Sequence, residues 1–512
     1  MIAKVYTSTP IGYDGKMVEV ECAISKGLTQ FDIVGMANKT VSEARQRVRN
    51  AIKSAGLTWP SSHITINLAP AELAKSGSLF DIPIAISILA ASKQLSLEDI
   101  KNKIFVGELS LDGKIRPIRG IINILETGKA SGFNTFIIPK LNLAQALLVS
   151  NVKIIGISTL SELISYLKNP SSYTTPPLLP NPNVVKNTET DGEPILLNQI
   201  HGQDFAKKAL IVAVAGRHNI IFSGPPGAGK TMLAKAAVSL MPELTDSEVI
   251  EITKLYSLAG MTDNVVKTRP FRSPHHTSTI VSLIGGGNSS LKPGEISLAH
   301  LGVLYLDELP EYPRAALETL RQPLEDKCIH LSRANSHCTY PADFMLLSTM
   351  NPCPCGYLGD GSHPCTCNNF EINRYRRKLS GPLLDRIDIR INVKREKNKA
   401  LLFPSNTKNS ESDVKNQNVV KNNITEAIKR QHLRYGDDKT YNSSLTSSQV
   451  IKYIKLEPTA KALLNDASER LNLSARSYFK VIKVARTIAD LEGSNLVTAK
   501  HIVESLSYRM DI

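Results

Sequence analysis

One short glycine-rich segment constrains the fold of this chain more than any other feature. Residues 224–231 read Gly-Pro-Pro-Gly-Ala-Gly-Lys-Thr, and they stand between an apolar run at 220–222 and a helix-like stretch at 231–240. The pattern G-x-x-x-x-G-K-[ST] between a strand and a helix forms a loop whose backbone N–H groups surround phosphate oxygens. We therefore predict an ATP site. In it, Lys230 would reach the β- and γ-phosphates and Thr231 would offer its hydroxyl to Mg²⁺. The remaining residues of the loop are Gly224, Pro225, Pro226, Gly227, Ala228 and Gly229.

Two later apolar runs end in side chains that suit the same site. Asp307 and Glu308 follow the run 303–306, where Asp307 would hold Mg²⁺ and Glu308 would polarise the attacking water. Asn351 follows a third run and could position water near the γ-phosphate, because parallel sheets present functional groups at the carboxyl ends of their strands. An Asp-Glu pair and an Asn-Pro step are each common in plain turns. We assign Asp307, Glu308 and Asn351 to the site only because the chain also contains the phosphate loop.

The first third of the chain forms a region of its own by composition. At 512 residues the chain exceeds the roughly 250–300 residues at which a single hydrophobic core stops growing. Residues 1–168 alternate strand-like and helix-like patterns, such as those at 18–22 and 41–55, and they predict an α+β domain. Residues 169–194 are rich in proline and polar residues, so we expect a linker there.

The rest of the chain predicts a parallel sheet followed by helices. Within residues 195–395, three apolar runs are each followed by a polar segment, which is typical of an α/β parallel sheet. Residues 396–423 are rich in Lys, Asn and Ser and predict a flexible connector. Residues 424–512 carry helical periodicity and predict a helical domain. The three apolar runs lie at 220–222, 303–306 and 345–347.

The charge balance narrows the range of partners. The formal net charge is +14, with 61 Lys and Arg against 47 Asp and Glu. This favours phosphate-rich partners, nucleic acid first and an anionic membrane second, although the same excess on a solvated surface could be compositional bias. No apolar run approaches the roughly 18–20 residues of a membrane span, and the first ten residues lack a secretion signal. We expect a cytoplasmic protein with no membrane partner.

Six sequence blocks support a family assignment. They read FRSPHHT at 271–277, PGEISLAH at 293–300, NPCPCG at 351–356, SGPLLDRID at 380–388, LSAR at 473–476 and VARTIADL at 484–491. Their order and content resemble the YifB/ComM family of magnesium-chelatase-like AAA+ proteins over nearly the whole chain. The resemblance implies an α/β fold in which an AAA+ parallel-sheet ATPase core with magnesium-chelatase-like inserts is followed by a helical lid. It further implies a homo-hexameric ring and, for ComM-type members, DNA branch migration that helps to integrate transforming DNA.

Two arginines take their expected roles from this resemblance. It implies that Arg386 reaches the γ-phosphate bound by the neighbouring subunit, as an arginine finger, and that Arg476 on the lid senses nucleotide. From the residues alone, either arginine could instead form a structural ion pair.

Residues 1–168 resemble the Lon-type, S5-like proteolytic domain, but they lack its catalytic pair. The likeness lies in SLFDIP at 78–83 and VGELSLDG at 106–113. Ile84 stands where the nucleophilic serine would follow, and Ile124 stands at the lysine position. Isoleucine supplies neither a nucleophile nor a base. We expect a degenerate domain that assists assembly or grips DNA.

A second serine–lysine pairing is open in the same region. Lys75 lies beside Ser76 and close to Ser78 in sequence. Neighbouring Lys and Ser in a glycine-containing loop are common without catalysis, so we do not expect proteolysis from this pairing.

Four of the seven cysteines fall within fifteen residues, as two C-x-C pairs. Four thiolates suffice for tetrahedral Zn²⁺, although C-x-C is tighter than the usual spacing, and His363 is a spare ligand. The alternative is four free thiols in a loop. The candidate zinc ligands are Cys353, Cys355, Cys365 and Cys367.

Basic residues suggest where DNA would be held. Residues 374–399 contain ten basic and three acidic residues, and residues 327–344 predict a β-hairpin. The family resemblance implies that this hairpin and the loop 285–292 project toward a central pore, which makes Lys292 and Arg333 candidates for phosphate contacts. Both could equally be solvated loop charges. Aromatic residues are only 5% of the chain, so we expect contacts mainly to phosphate.

Together these features predict an ATP- and Mg²⁺-dependent ring motor that acts on single-stranded or branched DNA, in recombination or natural transformation. One alternative is a chelatase-like or protein-remodelling AAA+ motor without DNA translocation, and another is a binding scaffold with little turnover. The intact set of Lys230, Asp307, Glu308 and Arg386 argues against the scaffold. A response of ATP hydrolysis to DNA would separate the DNA motor from the other two.

Overall fold

The structure, a computed structural model, describes residues 2–35, 39–73, 75, 77–172, 195–287, 291–333, 336–361, 363–395 and 411–509. Most of the expected linker 169–194 and residues 396–410 of the expected connector therefore lie outside the described residues. A seven-stranded sheet and a five-stranded sheet organise the rest. None of the described helices is both long enough and apolar enough to cross a membrane.

The amino-terminal region is built on the seven-stranded sheet. Its strands are β1 (Ile2–Ile11), β2 (Asp14–Ser25), β3 (Phe31–Val34), β4 (His63–Ala69), β5 (Lys103–Phe105), β6 (Glu108–Leu109), β7 (Ile115–Arg116), β8 (Thr135–Pro139) and β9 (Lys153–Ile157). Its helices are α1 (Lys39–Ser54), α2 (Asp81–Ala91), α3 (Leu97–Ile100), α4 (Ile121–Ala130), α5 (Leu143–Ala146) and α6 (Leu160–Lys168). The strand order is β3-β4-β2-β1-β5-β8-β9, with parallel and antiparallel pairs, while β6 and β7 form a separate hairpin. In β2, Val18, Val20 and Cys22 are buried, as alternation predicts.

The central region is built on the five-stranded sheet. Its strands and hairpins are β10 (Ile220–Ser223), β11 (Phe271–Arg272), β12 (Gly285–Gly286), β13 (Lys292–Pro293), β14 (Val303–Leu306), β15 (Cys328–Arg333), β16 (Ser336–Pro341), β17 (Met345–Met350) and β18 (Ile389–Asn392). Its helices are α7 (Asp204–Gly216), α8 (Lys230–Leu240), α9 (Asp246–Ala259), α10 (Ile280–Ile284), α11 (Glu295–Leu298), α12 (Arg314–Glu318), α13 (Arg321–Asp326), α14 (Asn369–Arg376) and α15 (Gly381–Leu384). The sheet order is β11-β14-β17-β10-β18 and all its pairs are parallel, which confirms the predicted parallel α/β sheet.

Helices cover both faces of this sheet because successive side chains on a strand point to opposite faces. On β14, Val303 and Tyr305 belong to the apolar cluster that contains α7 and α8. Leu304 and Leu306 belong to the cluster that contains the helices between β14 and β18. The strands are thus buried on both faces and read as continuous apolar runs.

The two edges of this sheet carry different functional residues. The phosphate loop, the Asp307–Glu308 pair and Asn351 each follow a strand, so they lie at the carboxyl edge. Arg386 precedes β18 and therefore lies at the amino edge. Strands of four to six residues separate the two edges by about 13–20 Å.

The carboxyl-terminal region is helical, as predicted. Its helices are α16 (Glu411–Tyr435), α17 (Ser447–Tyr453), α18 (Pro458–Arg470), α19 (Ala475–Leu491) and α20 (Ala499–Ser507). Helix α16 packs on the five-stranded sheet's helices through Ile424, Ala427 and Ile428, while the other helices share a second apolar cluster.

The expected flexible connector 396–423 needs a correction, because α16 begins at Glu411. A polar residue anchors its first turns. Buried Gln417 accepts a hydrogen bond of 3.1 Å from the Leu197 N–H and donates one of 3.0 Å to Ser239 Oγ. Hydrophobic periodicity cannot reveal such an anchor, so the sequence pattern placed the start of the helix too late.

The amino-terminal region contacts the central region through α4 and α9. The Lys254 ammonium lies 2.6 Å from Glu126 and 4.1 Å from the centre of the Tyr13 ring. The Gly120 N–H donates to Ser257 Oγ at 3.0 Å, and Gln145 Nε2 donates to two backbone carbonyls that follow α9. A buried cation and several polar contacts therefore join the two regions.

Candidate nucleotide-binding site

The phosphate loop at 224–231 leaves room for a ligand against its backbone. Gly227 and Gly229 have φ angles of +76° and +84°, which L-residues with a side chain rarely adopt, and a Cβ at either position would meet no atom within 4 Å. Gly224 is restricted differently, since a Cβ there would lie 2.2 Å from the Val393 carbonyl oxygen. The loop thus has the open cradle and tight base that a polyphosphate needs.

Lys230 lies at the centre of this site. Its ammonium donates to the carbonyl oxygens of Gly224 and Pro225, the latter at 3.2 Å, and to Asn351 Oδ1 at 2.9 Å. Burial lowers the pKa of Lys230 to about 8, against the opposing charges of Asp307 and Glu308. The loop and the end of β17 therefore share one cation, which an anionic phosphate would attract.

A hydrogen-bonded group of side chains orients Asp307. The Tyr305 hydroxyl donates to Asp307 Oδ1 at 2.8 Å, and the Thr349 hydroxyl donates to the same oxygen. Oδ2 is thereby available to a metal ion. The Tyr305 hydroxyl also lies 3.5 Å from Thr231 Oγ1, so the two candidate Mg²⁺ ligands belong to one connected site. Both Asp307 and Thr231 are exposed, as an oxygen-ligated ion would require.

Glu308 has an unusual backbone conformation. Its φ is +51°, and its N–H donates to Thr349 Oγ1 at 3.1 Å. A non-glycine residue in the left-handed region costs of order 1–3 kcal/mol and is common at functional sites. Thr349 therefore contacts both residues: its hydroxyl donates to the Asp307 carboxylate, and its oxygen accepts from the Glu308 backbone N–H.

The sequence patterns did not single out Tyr305 or Thr349 as site residues. Thr349 was detectable, because a polar residue near the end of a buried strand, aligned beside Asp307 in a parallel sheet, is unusual. Tyr305 reads as an ordinary apolar strand residue. Its role depends on the reach of its hydroxyl, which the pattern does not show.

The residues after Asn351 pack against the phosphate loop. A Cβ at Gly356 would lie 2.8 Å from Pro226 Cδ. The Asn351 backbone hydrogen-bonds the phenol oxygen of Tyr375, whose pKa burial raises to about 12. Asn351 is thus held between the cysteine-rich loop, the phosphate loop and α14.

The structure brings the four predicted cysteines together. All four sulfur atoms lie within 4.8 Å of one another, and the Cys353–Cys355, Cys355–Cys365 and Cys353–Cys365 separations are 3.3, 3.6 and 3.7 Å. A tetrahedral ion with Zn–S bonds of about 2.3 Å has sulfur atoms about 3.8 Å apart, so this donor set fits zinc. Backbone N–H groups of Tyr357 and Thr366 lower the pKa of Cys355 to about 5.

His363 is not a member of this cluster. Its ring stacks on Tyr357 with 5.0 Å between centroids, and its Nδ1 lies 3.6 Å from Asp360. The spare ligand predicted from the sequence is therefore engaged elsewhere.

Arg386 and Arg476 meet at the amino edge of the sheet, where both pair with Glu325. Arg386 lies 2.6 Å from Glu325 Oε1, and the Arg476 guanidinium contacts the same oxygen. Burial would raise the pKa of Glu325, but the two arginines hold it below its usual range. The three residues line a cavity of about 180 Å³. Sequence reasoning missed Glu325, which carries no motif.

A buried ionic network fixes the helix that carries Arg476. The Lys480 ammonium lies 2.8 Å from Asp388 Oδ1, and His218 Nδ1 lies 3.0 Å from Asp388 Oδ2, while His218 Nε2 lies 2.8 Å from Thr487 Oγ1. Despite burial, Lys480 and His218 hold the pKa of Asp388 far below its usual range. The network ties α19, which carries Arg476, to the strand that follows Arg386.

The two candidate DNA contacts lie on neighbouring elements. Lys292 is exposed on β13, which pairs with β12, and Arg333 ends β15, which pairs with β16 as the predicted hairpin. The side chain of Arg333 lies outside the described residues. The Tyr340 hydroxyl on β16 donates to the Leu291 carbonyl at 2.8 Å and joins the two elements.

Comparison with known proteins covers almost the whole chain. Three family models match: "Subunit ChlI of Mg-chelatase" at 20–142, "Magnesium chelatase, subunit ChlI" at 196–401 and "Magnesium chelatase, subunit ChlI C-terminal" at 415–509. Competence protein ComM of Haemophilus influenzae is 40% identical over 99% of this chain and 97% of its own length. YifB of Escherichia coli is 38% identical over 99% of this chain and 96% of its own length. The magnesium-chelatase 67 kDa subunit of Chlorobaculum parvum is 27% identical over only 31% of this chain and 23% of its own length.

Proposed function

Because this chain belongs to the YifB/ComM family of magnesium-chelatase-like AAA+ proteins, we propose that it is an ATP-driven ring motor acting on DNA. The proposed activity is branch migration or strand separation in recombination or natural transformation. One relative, matched over 97% of its own length, is named a competence protein, whereas the chelatase 67 kDa subunit matches less than a third of the chain. The similarity thus favours a DNA-related role over chelation.

One observation supports the ring most directly. Lys230 and the paired carboxylates lie at the carboxyl edge of the sheet, and Arg386 lies at the amino edge. Since the sheet itself separates the two edges, Arg386 cannot reach the nucleotide of its own protomer. It can complete only a site on another copy. A head-to-tail contact of this kind generates a closed ring when its rotation closes.

The chemistry assigned to each residue follows from its surroundings. Lys230 would bind the β- and γ-phosphates, and Thr231 and Asp307 would hold Mg²⁺, which would neutralise phosphate charge. Glu308 accepts a proton from the attacking water, and Asn351 orients that water. Arg386 from the next protomer stabilises the charge that develops on the γ-phosphate. Arg476 shares its anchor with Arg386, so we propose that it acts on the same neighbouring site.

We further propose that the cysteine cluster binds structural zinc. Its sulfur geometry fits a tetrahedral ion, and the loop that carries it has little apolar content of its own. The ion would hold Gly356 against Pro226 and so keep the phosphate loop and Asn351 in register.

For DNA contact, we propose Lys292 and Arg333 as phosphate-binding residues on the two joined hairpins. The amino-terminal region would act without proteolysis, since Ile84 and Ile124 are both fully buried in its core. Lys75 donates to the Pro70 carbonyl and the Ser78 hydroxyl to Glu108, while Ser76 lies outside the described residues. We also propose that residues 1–168, residues 195–395 and the helical part that begins with α16 have separate roles.

The test is ATP hydrolysis by the full chain, measured alone, with single-stranded DNA and with a branched junction. We expect DNA to stimulate turnover severalfold, and Lys230→Ala to abolish it in every condition. DNA-independent turnover would instead favour a chelatase-like or protein-remodelling motor. Added casein should stay intact, because ATP-dependent cleavage would contradict the non-proteolytic assignment.

A further inference from the structure

Helix α14 has two faces with different chemistry. Ile372, Tyr375 and Leu379 are buried, and Tyr375 reaches the Asn351 backbone. The opposite face of the helix and of the turn that follows it is exposed and carries Phe370, Arg374, Arg377 and Lys378. The buried face packs against the core of the central region, whereas the composition of the exposed face has no role in that packing.

The exposed face forms one wall of a groove of about 540 Å³. The other wall is the segment that follows Glu308, including Glu311 and Arg314. This volume lies in the range of small-ligand sites, about 300–1,000 Å³, and would admit one nucleotide of a longer strand. We name it the basic groove, lined by Glu311, Arg314, Phe370, Arg374, Arg377 and Lys378.

Positive charge in the basic groove is only partly compensated. Lys378 lies 3.2 Å from Glu311, and this is the one acidic residue of the lining. Within the described part of the chain, Arg314, Arg374 and Arg377 have no carboxylate within 4 Å. Arg314 still interacts electrostatically with Glu318 at longer range. Three guanidinium groups that line one groove without a close ion pair indicate an anionic ligand with several charges.

Phe370 narrows the class of ligand. Its ring is 74% exposed at the mouth of the groove, beside Arg374. An exposed aromatic ring among arginines matches the way proteins hold unpaired nucleic acid, with phosphates on the cations and a base stacked on the ring. A duplex would not offer a free base face.

We propose that the basic groove binds single-stranded nucleic acid, with phosphates on Arg314, Arg374 and Arg377 and one base on Phe370. This inference rests on the proposed action on DNA and names a contact surface distinct from Lys292 and Arg333. Each wall of the groove is also connected to the ATP site. Glu311 lies three residues after Glu308, and α14 carries the Tyr375 that holds Asn351. A strand bound in the groove would therefore affect the positions of Glu308 and Asn351, the two residues proposed to act on the attacking water.

The test is binding of a fluorescein-labelled oligo-dT of about 20 nucleotides, a length that spans several site sizes, to the full chain at several salt concentrations. Arg374→Ala with Arg377→Ala should weaken binding at least tenfold. It should also reduce the slope of log affinity against log salt by about 1.4, since each lost phosphate contact contributes about 0.7 for a single strand. Phe370→Ala should weaken binding about tenfold with an unchanged salt slope, because stacking releases no counterions.

A control pair removes the same charge elsewhere. Lys429→Ala with Arg470→Ala affects two exposed helix ion pairs outside the groove and should bind like the wild type. Thermal unfolding midpoints verify that each variant is folded, and Phe370→Ala, which changes no charge, tests the groove even if the double variant does not fold.

The possible outcomes separate the two proposals. If the wild type and both groove variants bind the oligonucleotide equally well, the basic groove is not its binding site, although the protein still binds DNA elsewhere. No binding by the wild type overturns the action on DNA as well. Loss of assembly in the groove variants, with unchanged strand affinity, would make the groove an interface between copies of this chain and overturn the inference.

Discussion

Lys230 donates a hydrogen bond of 2.9 Å to Asn351 Oδ1, which joins the phosphate loop to the end of the neighbouring strand β17. Asn351, which would orient water, therefore holds the Lys230 ammonium, which would bind phosphate. A substitution of either residue removes this hydrogen bond and so alters the position of the other.

The protonation of Lys230 should set the pH dependence of nucleotide binding. Burial lowers its pKa to about 8, and a bound phosphate favours the charged ammonium and raises that pKa again. Binding therefore takes up a proton above pH 8. We expect the affinity for a fluorescent ADP analogue to be constant below pH of about 7.5 and to fall by up to tenfold per pH unit above about 8.

The control is Lys230→Arg, whose guanidinium stays charged throughout this range. Its affinity, even if lower, should vary little with pH. A wild-type affinity that is flat from about pH 7 to 9.5 would show that the ammonium is fully charged in the free protein, against the expected burial effect.

Arg386 should act on a neighbouring protomer. Arg386→Ala is expected to retain nucleotide binding and to lose about 10³-fold or more in turnover, as for other arginine fingers. Lys230→Ala should also be inactive. Mixing the two inactive chains should restore up to about one quarter of wild-type turnover, because one interface in four then pairs an intact Lys230 with an intact Arg386.

Two controls accompany the mixing experiment. Each single variant, assayed alone at the same total protein concentration, must stay inactive. The chain that carries both Lys230→Ala and Arg386→Ala must also show no ATP turnover. Absence of recovery in the mixture, with assembly intact, would place Arg386 in a structural role beside Glu325.

Zinc should be bound stoichiometrically and should support turnover. We expect about one zinc per chain by elemental analysis, and loss of both zinc and most ATPase activity in Cys365→Ser. Cys328→Ser is the matched control, since Cys328 is a free thiol outside the cluster. Zinc below about 0.2 per chain in protein purified without chelator would contradict the site.

The isoleucine at the lost nucleophile position should be a core residue. Ile84 is fully buried in α2, so Ile84→Ala should destabilise the amino-terminal region by about 2–5 kcal/mol. Trp59 is the single tryptophan and packs 5.6 Å from the Phe31 ring in this region, so its fluorescence during urea unfolding reports the change. Leu111→Ala, at a 57% exposed position, should stay within about 0.5 kcal/mol of the wild type.

The buried strands of the five-stranded sheet were predictable from the sequence. Strand β14 has the bounds that its apolar run suggested, and β10 and β17 extend theirs by one and three residues. These strands are covered on both faces, so their composition alone reports their position. The start of α16 was misjudged because Gln417, a polar residue, supplies the anchoring contacts.

The candidate site was predictable where a local motif defines it. The phosphate loop depends on eight consecutive residues, and its neighbours Asp307 and Asn351 follow recognisable strands. Glu325 depends on how α13, α15 and α19 meet in space. No sequence spacing encodes that meeting, so the partner shared by Arg386 and Arg476 became visible only in the structure.

The shared carboxylate has a consequence for how protomers would associate. In a single protomer, the Glu325 carboxylate already compensates one of the two positive charges of Arg386 and Arg476, and Arg386 is only 10% exposed. Docking onto a neighbour's nucleotide would then exchange one anionic partner for another instead of filling an empty cationic site. Such an exchange has a small net driving force in either direction. A ring assembled this way would open and reload around a strand more readily than one held by unpaired charges.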